Sequence, residues 1–200
     1  MISRLDERIR TGSRHSIDQN SPDLSDAGLV RSAILDTDAF AELYERHVDR
    51  VYRYLLAITS NREEAADLTQ QTFLKVLEAL PRYREKHASF TVWIIRIAHN
   101  TAIDAIRRKK PIAVWHESLE PSYSQTFGDP EYEALRNEEI EHLKIWIQRL
   151  SPAKQDLLAL RFAAGLSNQD IAHLTGKTVD AVRKQLYRTL RELKDFPRDE

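Results

Sequence analysis

The sequence predicts an all-α protein built from two small helical domains that are joined by an extended linker, with a helix-turn-helix in the second domain. Apolar residues recur every three or four positions through most of the chain, which is the spacing of one helix face. No segment alternates apolar and polar residues in the way a half-buried strand does. Prolines, a glycine and many acidic residues separate two such periodic regions. The expected segments are a mobile N-terminal arm over 1–27, a first domain over 28–110, an acidic linker over 111–131 that proteases should cut, and a second domain over 132–196.

The composition restricts the kind of protein. Hydrophobic residues make up 42% of the chain and charged residues 30%, which suits small cores under a well-solvated surface. The absence of cysteine excludes a disulfide framework and a thiolate metal site, and it fits a reducing compartment. No apolar run approaches the roughly 18 residues of a membrane span, and the N-terminus lacks the apolar centre of a secretory signal. We therefore expect a cytoplasmic protein without membrane insertion.

Two long helices open the first domain, behind a shorter helix that begins near Leu29. Asn61 and Glu64 are spaced to bond the free backbone N–H groups at the start of the second long helix, and Pro81 should end it. The apolar positions of the first long helix are Phe40, Leu43, Tyr44, Val48, Val51, Leu55 and Ile58. Those of the second are Leu68, Phe73, Val76, Leu77 and Leu80, opposite a polar face of Glu63, Asp67, Gln70, Gln71, Lys75 and Glu78.

A third long helix follows the loop PRYREKHASFT and reads VWIIRIAHNTAIDAIRRKK up to Pro111. Most of its residues are apolar, but a polar stripe steps by four residues along one side, which keeps its members on one face. The stripe consists of Arg96, Asn100, Asp104 and Arg108. Trp93, in this helix, and Trp146, in the second domain, fit a core better than a base-stacking platform, whereas the loop position of Tyr83 and Phe90 leaves their role open.

The second domain contains the helix-turn-helix pattern. After the linker, Ser151-Pro152 is a suitable helix start, and the segment AKQDLLALRFAA should form a helix that ends at Gly165. Ser167 with Asp170 has the spacing of a capping box, which opens a short helix. Thr175-Gly176-Lys177 then forms a tight turn, and Thr178 can cap the last helix.

The last helix is amphipathic and basic. Val182, Leu186, Leu190 and Leu193 share one face, while Asp180, Arg183, Lys184, Tyr187, Arg188 and Arg191 lie elsewhere. Such a helix fits the major groove of DNA, where its first turns reach base edges and its basic residues neutralise phosphates. We therefore expect the DNA-binding residues Lys177, Thr178, Asp180, Ala181, Arg183, Lys184, Tyr187 and Arg188. An amphipathic hairpin with a solvated basic face is the alternative for this segment alone.

Charge is segregated along the chain although the net charge is only −1. Residues 93–110 hold five basic residues and one acidic residue, and residues 176–194 hold six and two, so each segment carries a net +4. Residues 117–141 hold eight acidic residues and one arginine, a net −7. Two basic helices that flank an acidic segment can match two separate anionic surfaces.

Four segments, in order, carry a family resemblance: DAFAELYERHVDRVYRYLL, EEAADLTQQTFLKVLEAL, FTVWIIRIAHNTAIDAIRRKK and the stretch from LSPAKQDLL to YRTLREL. Together they resemble a bacterial RNA polymerase sigma factor of the extracytoplasmic-function group. The resemblance covers about residues 29–195, and the order and spacing of several motifs make it far more specific than a helix-turn-helix alone.

The resemblance implies a role for each helix. The second long helix would dock on core RNA polymerase through Asp67, Gln70, Gln71 and Phe73, and the last domain would read the minus-thirty-five element of promoter DNA. The third long helix and the loop before it would open and read the minus-ten element through Arg96, Asn100, Asp104, Arg107, Arg108 and Lys109. Gln71 departs from the carboxylate frequent in the family, and Lys177 and Asp180 replace an apolar and a small residue. Whether an anti-sigma factor binds stays open.

Other chemistry finds little support in the sequence. Glu139 and His142 form one Glu-x-x-His pair, but a di-iron site needs a second pair, and His116 in HESLE lacks the second histidine of a zinc protease motif. We expect no metal, no cofactor and no enzymatic activity. Two rival functions remain: a conventional helix-turn-helix regulator that binds duplex DNA without polymerase, and a helical module that binds only proteins.

Overall fold

The computed structural model describes residues 26–84, 88–108 and 142–195, and all regular structure within these ranges is helical. The N-terminal half consists of α1 (Asp26–Ala33), α2 (Thr37–Thr59), α3 (Arg62–Ala79), a 3-10 turn (Leu80–Arg82) and α4 (Phe90–Arg108). The C-terminal half consists of α5 (142–149), α6 (Pro152–Leu158), a π-helical turn (Ala159–Ala163), α7 (Asn168–Thr175) and α8 (Val179–Lys194). Residues 1–25 of the expected arm, the whole linker, Lys109 and the first residues of the expected second domain lie outside the described residues.

Helix α2 is the centre of the packing. It contacts α1, α3 and α4 and also the π-helical turn of the C-terminal half. Val51, Tyr54 and Leu55 are completely buried along it. Their spacing of three and four residues places them on one face, so one stripe of α2 lies where the two halves meet. The sequence did not predict this contact between the halves.

The predicted helix boundaries of the first domain are confirmed where they rest on capping residues. The Asn61 side chain accepts a hydrogen bond of 2.9 Å from the backbone N–H of Glu64, and α3 begins at the next residue, Arg62. Pro81 lies in the 3-10 turn that ends α3. These signals are local, since each satisfies backbone groups of the first or last turn, so the sequence alone can place them.

One predicted core position in α3 is wrong. Leu77 is 48% exposed, whereas Thr69 and Thr72 are buried. Each threonine hydroxyl donates to the backbone carbonyl four residues earlier, at 2.7 Å, so the polar atom is satisfied within the helix. The methyl groups then serve as core surface, and the buried stripe runs through the two threonines instead of reaching Leu77.

The C-terminal half departs from its prediction in two places. The segment expected to form one helix up to Gly165 is interrupted by the π-helical turn, which an apolar pattern does not reveal. In α8, Leu190 is 44% exposed and Thr189 is buried in its place, with its hydroxyl bonded to the carbonyl of Gln185 at 2.9 Å. Gly165 has a φ of 65°, in the left-handed region, as expected for a residue that ends a helix.

Helix α1 begins at Asp26, inside the segment expected to be an arm, and a charged cluster fixes its start. The carboxylate of Asp26 lies 3.1 Å from Nε2 of His47 and 3.6 Å from the guanidinium of Arg46, both on α2. The hydrogen bond with His47 and the positive charges of both partners lower the pKa of Asp26 against the opposing effect of its partial burial. The cluster ties α1 to α2 as long as Asp26 is ionised.

We predict that Asp26→Asn lowers the free energy of unfolding at pH 7 by about 0.5–1 kcal/mol, the range for a partly screened ion pair. A carboxylate whose pKa is lower in the folded state contributes stability above its unfolded pKa of about 4 and loses that contribution as the pH falls through the folded value. The difference between wild type and variant should therefore shrink on acidification in urea titrations at pH 7 and pH 3. An equal difference at both pH values would contradict this account.

Candidate nucleic-acid and protein interfaces

The turn and helix α8 form the first candidate site, and their geometry follows from local signals. Ser167 and Asp170 exchange both bonds of a capping box at the start of α7. Gly176 ends α7 with a φ of 69°, where a residue with a β-carbon is strained. Thr178 caps α8 by accepting from the backbone N–H of Ala181 at 3.2 Å. The helix-turn-helix predicted from the sequence is therefore present with its predicted caps.

The buried face of α8 determines which of its residues are exposed. Val182 and Leu186 are buried against the rest of the C-terminal half. Every residue predicted to contact DNA here is exposed: Lys177, Thr178, Asp180, Ala181, Arg183, Lys184, Tyr187 and Arg188. An exposed basic helix with its first turns free has the shape that enters a major groove.

Two side-chain contacts organise the first turns of this surface. Asp180 Oδ1 lies 3.6 Å from Nη1 of Arg183, one helical turn further on. The ammonium group of Lys177 donates to Oε1 of Gln185 at 2.9 Å. Both pairs are on the surface and exchangeable, so the arginine and the lysine can each turn to a nucleic-acid partner at low cost.

Helix α4 carries the second candidate site. Four of the residues predicted for the minus-ten element are exposed here: Asn100, Asp104, Arg107 and Arg108. Arg96 differs, because it is half-buried and its Nη2 donates to the backbone carbonyl of His173 in α7 at 3.2 Å. The structure thus brings most of the predicted minus-ten residues to one surface but turns Arg96 towards the other half.

The loop before α4 is bordered by packed aromatic rings. Phe90 is buried, and its ring lies against those of Tyr83 and Trp93, with centroid distances of 5.7 and 5.5 Å. The Tyr83 hydroxyl donates to the carbonyl of Ala88 at 3.0 Å. Phe90 and Trp93 therefore belong to the core packing, and the cluster holds the two ends of the loop together.

The third candidate site is the outer face of α3, where one of the four predicted docking residues, Phe73, is buried. Asp67, Gln70 and Gln71 are exposed as expected. Phe73 is only 5% exposed and packs on the ring of Tyr44, at a centroid distance of 4.6 Å. The exposed apolar residues of α3 are Leu74 and Leu77 instead. Apolar residues left exposed on a charged helix are typical of a protein interface.

A cluster that the sequence did not indicate joins the two halves. The Tyr54 hydroxyl, on α2, donates to Oδ1 of Asp156, on α6, at 2.9 Å, and it lies 2.8 Å from Nδ1 of His99, on α4. Burial and the neighbouring carboxylate raise the pKa of Tyr54 well above its usual value, so the phenol keeps its proton. The tyrosine proton is used in the hydrogen bond to Asp156. The contact with His99 is therefore a hydrogen bond when Nδ1 carries a proton and donates it to the tyrosine oxygen.

The described residues show no further class of site. None of their helices combines the length and apolar character that crossing a membrane requires. They contain no group of three or more histidine, aspartate or glutamate side chains placed to hold a metal ion. His142 is described, but Glu139, the other member of the Glu-x-x-His pair, is not.

Family models match both halves of the chain. The model of sigma-70 region 2 matches residues 43–112, and the model of sigma-70 region 4 matches residues 147–193. The first match contains most of α2, all of α3 and all of α4, and the second contains the helix-turn-helix. Together the two matches cover more than half of the chain.

Curated relatives agree with the family models. The chain is 31% identical over 160 residues to the ECF RNA polymerase sigma factor BldN of Streptomyces coelicolor, an alignment that covers 79% of this chain and 60% of BldN. It is 32% identical over 158 residues to the RNA polymerase sigma factor YlaC of Bacillus subtilis, which covers 78% of this chain and 91% of YlaC. The chain thus spans about three fifths of the length of BldN and nearly all of YlaC.

Solved structures share the fold. CnrH, solved in complex with the cytosolic domain of CnrY, matches with a TM-score of 0.63 at 19% identity over 86% of this chain and 96% of that one. RpoE of Bartonella quintana, solved with the anti-sigma factor NepR, matches with a TM-score of 0.62 at 18% identity over 78% and 94%. With both regions matched in order and relatives above 30% identity, the chain belongs to the sigma-70 family of RNA polymerase sigma factors, within the extracytoplasmic-function group.

Proposed function

We propose that the protein binds core RNA polymerase and directs it to promoters, with the two halves as separate promoter readers. The observation that carries the proposal is the presence, in one chain of this family, of two basic helices, one in each half, with most of their predicted DNA-binding residues exposed. In the expected boundaries, residues 28–110 read the minus-ten element and residues 132–196 read the minus-thirty-five element. The solved relatives were crystallised with CnrY and with an anti-sigma factor, so we include an anti-sigma factor among the expected partners.

Each surface suits one part of the task. Helix α8 offers exposed donors to base edges in its first turns and cations to phosphates. Helix α4 offers an exposed amide at Asn100 beside its arginines, and an amide can both donate to and accept from an unpaired base. Helix α3 offers two exposed leucines, Leu74 and Leu77, next to the exposed polar residues Asp67, Gln70 and Gln71, and protein interfaces combine apolar and polar contacts in this way.

A conventional regulator would use the same helix-turn-helix without polymerase. The family assignment favours the sigma factor, because both regions match and not the helix-turn-helix alone. Footprinting separates the two functions: protection of promoter DNA only in the presence of core polymerase supports the sigma factor. Protection of a palindromic site by the protein alone supports the regulator. A protein that protects DNA under neither condition would be an interaction module.

We predict that the protein supports promoter-dependent transcription by core polymerase in vitro and that Asn100→Ala impairs this activity at the opening step. A base that leaves the stack costs a few kcal/mol, which hydrogen bonds beside its pocket help to offset. Permanganate reactivity of promoter thymines should fall in the variant, while its affinity for core polymerase stays at the wild-type value. Unchanged permanganate reactivity would remove Asn100 from the minus-ten site without affecting the proposed function.

We predict that Leu74→Ala combined with Leu77→Ala weakens binding to core polymerase roughly tenfold or more, as expected for an apolar interface centre. The unfolding free energy should change little, because both side chains are already exposed. Leu35→Ala is the matched control, since Leu35 is 94% exposed in the turn after α1 and outside the proposed interface. Phe73→Ala should instead destabilise the fold by about 3–5 kcal/mol, as large core truncations do. Wild-type polymerase affinity in the double variant would exclude this face.

We predict different effects for two arginines of α8 on a duplex with a randomised minus-thirty-five element. Arg183 lies in the first turns, where side chains reach bases, so Arg183→Ala should cost about 1–3 kcal/mol at one base position and relax the preference there. Arg188 lies a turn further on, so Arg188→Ala should weaken all sequences alike and lower the salt slope by about one. Selection of the preferred sequences from the randomised duplexes measures the change in base preference. Binding affinity across a salt series measures the change in salt slope. If Arg183→Ala lowers the affinity for all sequences equally, Arg183 contacts phosphate and not a base.

A further inference from the structure

A cleft lies where α4, α6 and the turn before α8 meet. Its volume is about 400 Å³, within the range of roughly 300–1,000 Å³ that is typical of small-molecule sites. The lining combines two cations, an amide and an imidazole with several aliphatic side chains. Small-molecule sites have this composition, because apolar walls supply most of the contact and a few polar groups fix the orientation of the ligand. The promoter contacts proposed above account for only part of this lining.

Helix α4 supplies three polar groups to the cleft. Arg96, His99 and Asn100 are spaced by three and four residues, so they share one helix face, and all three line the cleft. Nη2 of Arg96 donates to the carbonyl of His173 at 3.2 Å, which holds the guanidinium in place. Nδ1 of His99 lies 2.8 Å from the Tyr54 hydroxyl, so Nε2 is the ring nitrogen left for a ligand. Asn100 is exposed, and the described part of the chain gives its amide no hydrogen bond.

The charges of the lining favour an anion. Arg96 and Lys177 are its cations, and Asp156 is its carboxylate. Oδ1 of Asp156 already accepts from the Tyr54 hydroxyl at 2.9 Å, so this oxygen is engaged within the protein. The ammonium group of Lys177 donates to Gln185 at the surface, where a ligand can replace that contact. A planar guanidinium suits the two-point recognition of a phosphate, and an ammonium adds a second positive charge.

The remainder of the lining is mainly apolar and rigid. Leu157, Leu160 and Val182 are at most 5% exposed, and Leu174 is partly buried. A flat ring with little polar surface packs on such a wall without loss of hydrogen bonds. Sugar hydroxyls placed there would instead lose their bonds to water without replacement, which is unfavourable. The wall therefore selects an anion that carries a flat ring system.

We propose that this cleft binds a nucleoside monophosphate, with the phosphate on Arg96 and Lys177 and the base against the leucines. A phosphate monoester carries a charge of about −1.5 to −2 at pH 7, which two cations match. Additional phosphates would bring charge for which the described lining offers no further lysine or arginine. The Asn100 amide can donate to and accept from the polar edge of the base. This site goes beyond promoter recognition and does not depend on it.

Calorimetric titration of the free, full-length chain tests the class of ligand. The titrants are AMP, GMP, CMP and UMP, and at least one should bind with a Kd on the order of 10 μM, as the usual efficiency per atom gives for a ligand of this size. The matching nucleoside lacks the phosphate and ribose 5-phosphate lacks the base, so each should bind roughly tenfold more weakly or worse. No binding of any nucleoside monophosphate at concentrations up to about 1 mM would overturn the proposal. Equal affinity for inorganic phosphate would indicate an adventitious ion only and would overturn it too.

Two variants and a matched control locate the site. Arg96→Gln and Lys177→Gln each remove one cation and should weaken the best ligand roughly tenfold, as for the loss of a charge-assisted hydrogen bond. Arg191→Ala should keep wild-type affinity, because Arg191 is an exposed arginine of α8 outside the cleft. Wild-type affinity in Lys177→Gln would overturn the proposal. An equal loss in Arg191→Ala would do the same, since it would indicate general attraction to the basic helix.

Thermal unfolding gives a second readout that needs neither polymerase nor DNA. A ligand that binds only the folded chain raises its Tm, and the rise grows with the ligand concentration relative to Kd. The rise should be present in wild type and Arg191→Ala and should be much smaller in Lys177→Gln. Circular dichroism checks the helicity of every variant, and Lys177→Gln decides alone if Arg96→Gln loses helicity, because Lys177 is exposed. An equal rise in Lys177→Gln and wild type would contradict the site.

Discussion

The burial of one stripe of α2 is the constraint on which the rest of the structure depends. Val51, Tyr54 and Leu55 have no exposed surface, and the helices of the N-terminal half and the π-helical turn of the C-terminal half pack around the helix that carries them. With α2 in place, the directions of α3 and α4 follow, and with them the faces that remain exposed. The polar atom on the stripe, the Tyr54 hydroxyl, needs partners, and the structure supplies one from each half.

The sequence predicts this fold well wherever a local signal acts alone. Asn61, Ser167 and Thr178 each satisfy backbone N–H groups within their own helix, so their roles need no information from the rest of the chain. The exposed face of α8 follows in the same way, because the burial of Val182 and Leu186 fixes the rotation of the helix. The exposed residues of α8 could therefore be predicted from the sequence, whereas their contacts with DNA remain a prediction, because they depend on a partner that the fold does not contain.

The two misplaced core positions share one physical cause. A threonine inside a helix can bond the carbonyl four residues earlier and so behaves as an apolar residue towards its neighbours. Thr69, Thr72 and Thr189 do this, and a pattern that counts them as polar rotates the predicted core towards Leu77 or Leu190. Phe73 shows a related limit of sequence reasoning. An aromatic residue next to polar residues fits a protein interface and a core equally well, and only its contact with Tyr44 assigns Phe73 to the core.

The contact between the halves lay beyond the reach of sequence reasoning, since Tyr54 and Asp156 are separated by 102 positions and each is unremarkable in its own helix. The polar contact does not act alone, because the buried apolar side chains of both halves form one continuous cluster around it. A pattern read along one helix cannot reveal such a contact, since the partners of Tyr54 lie on two other helices.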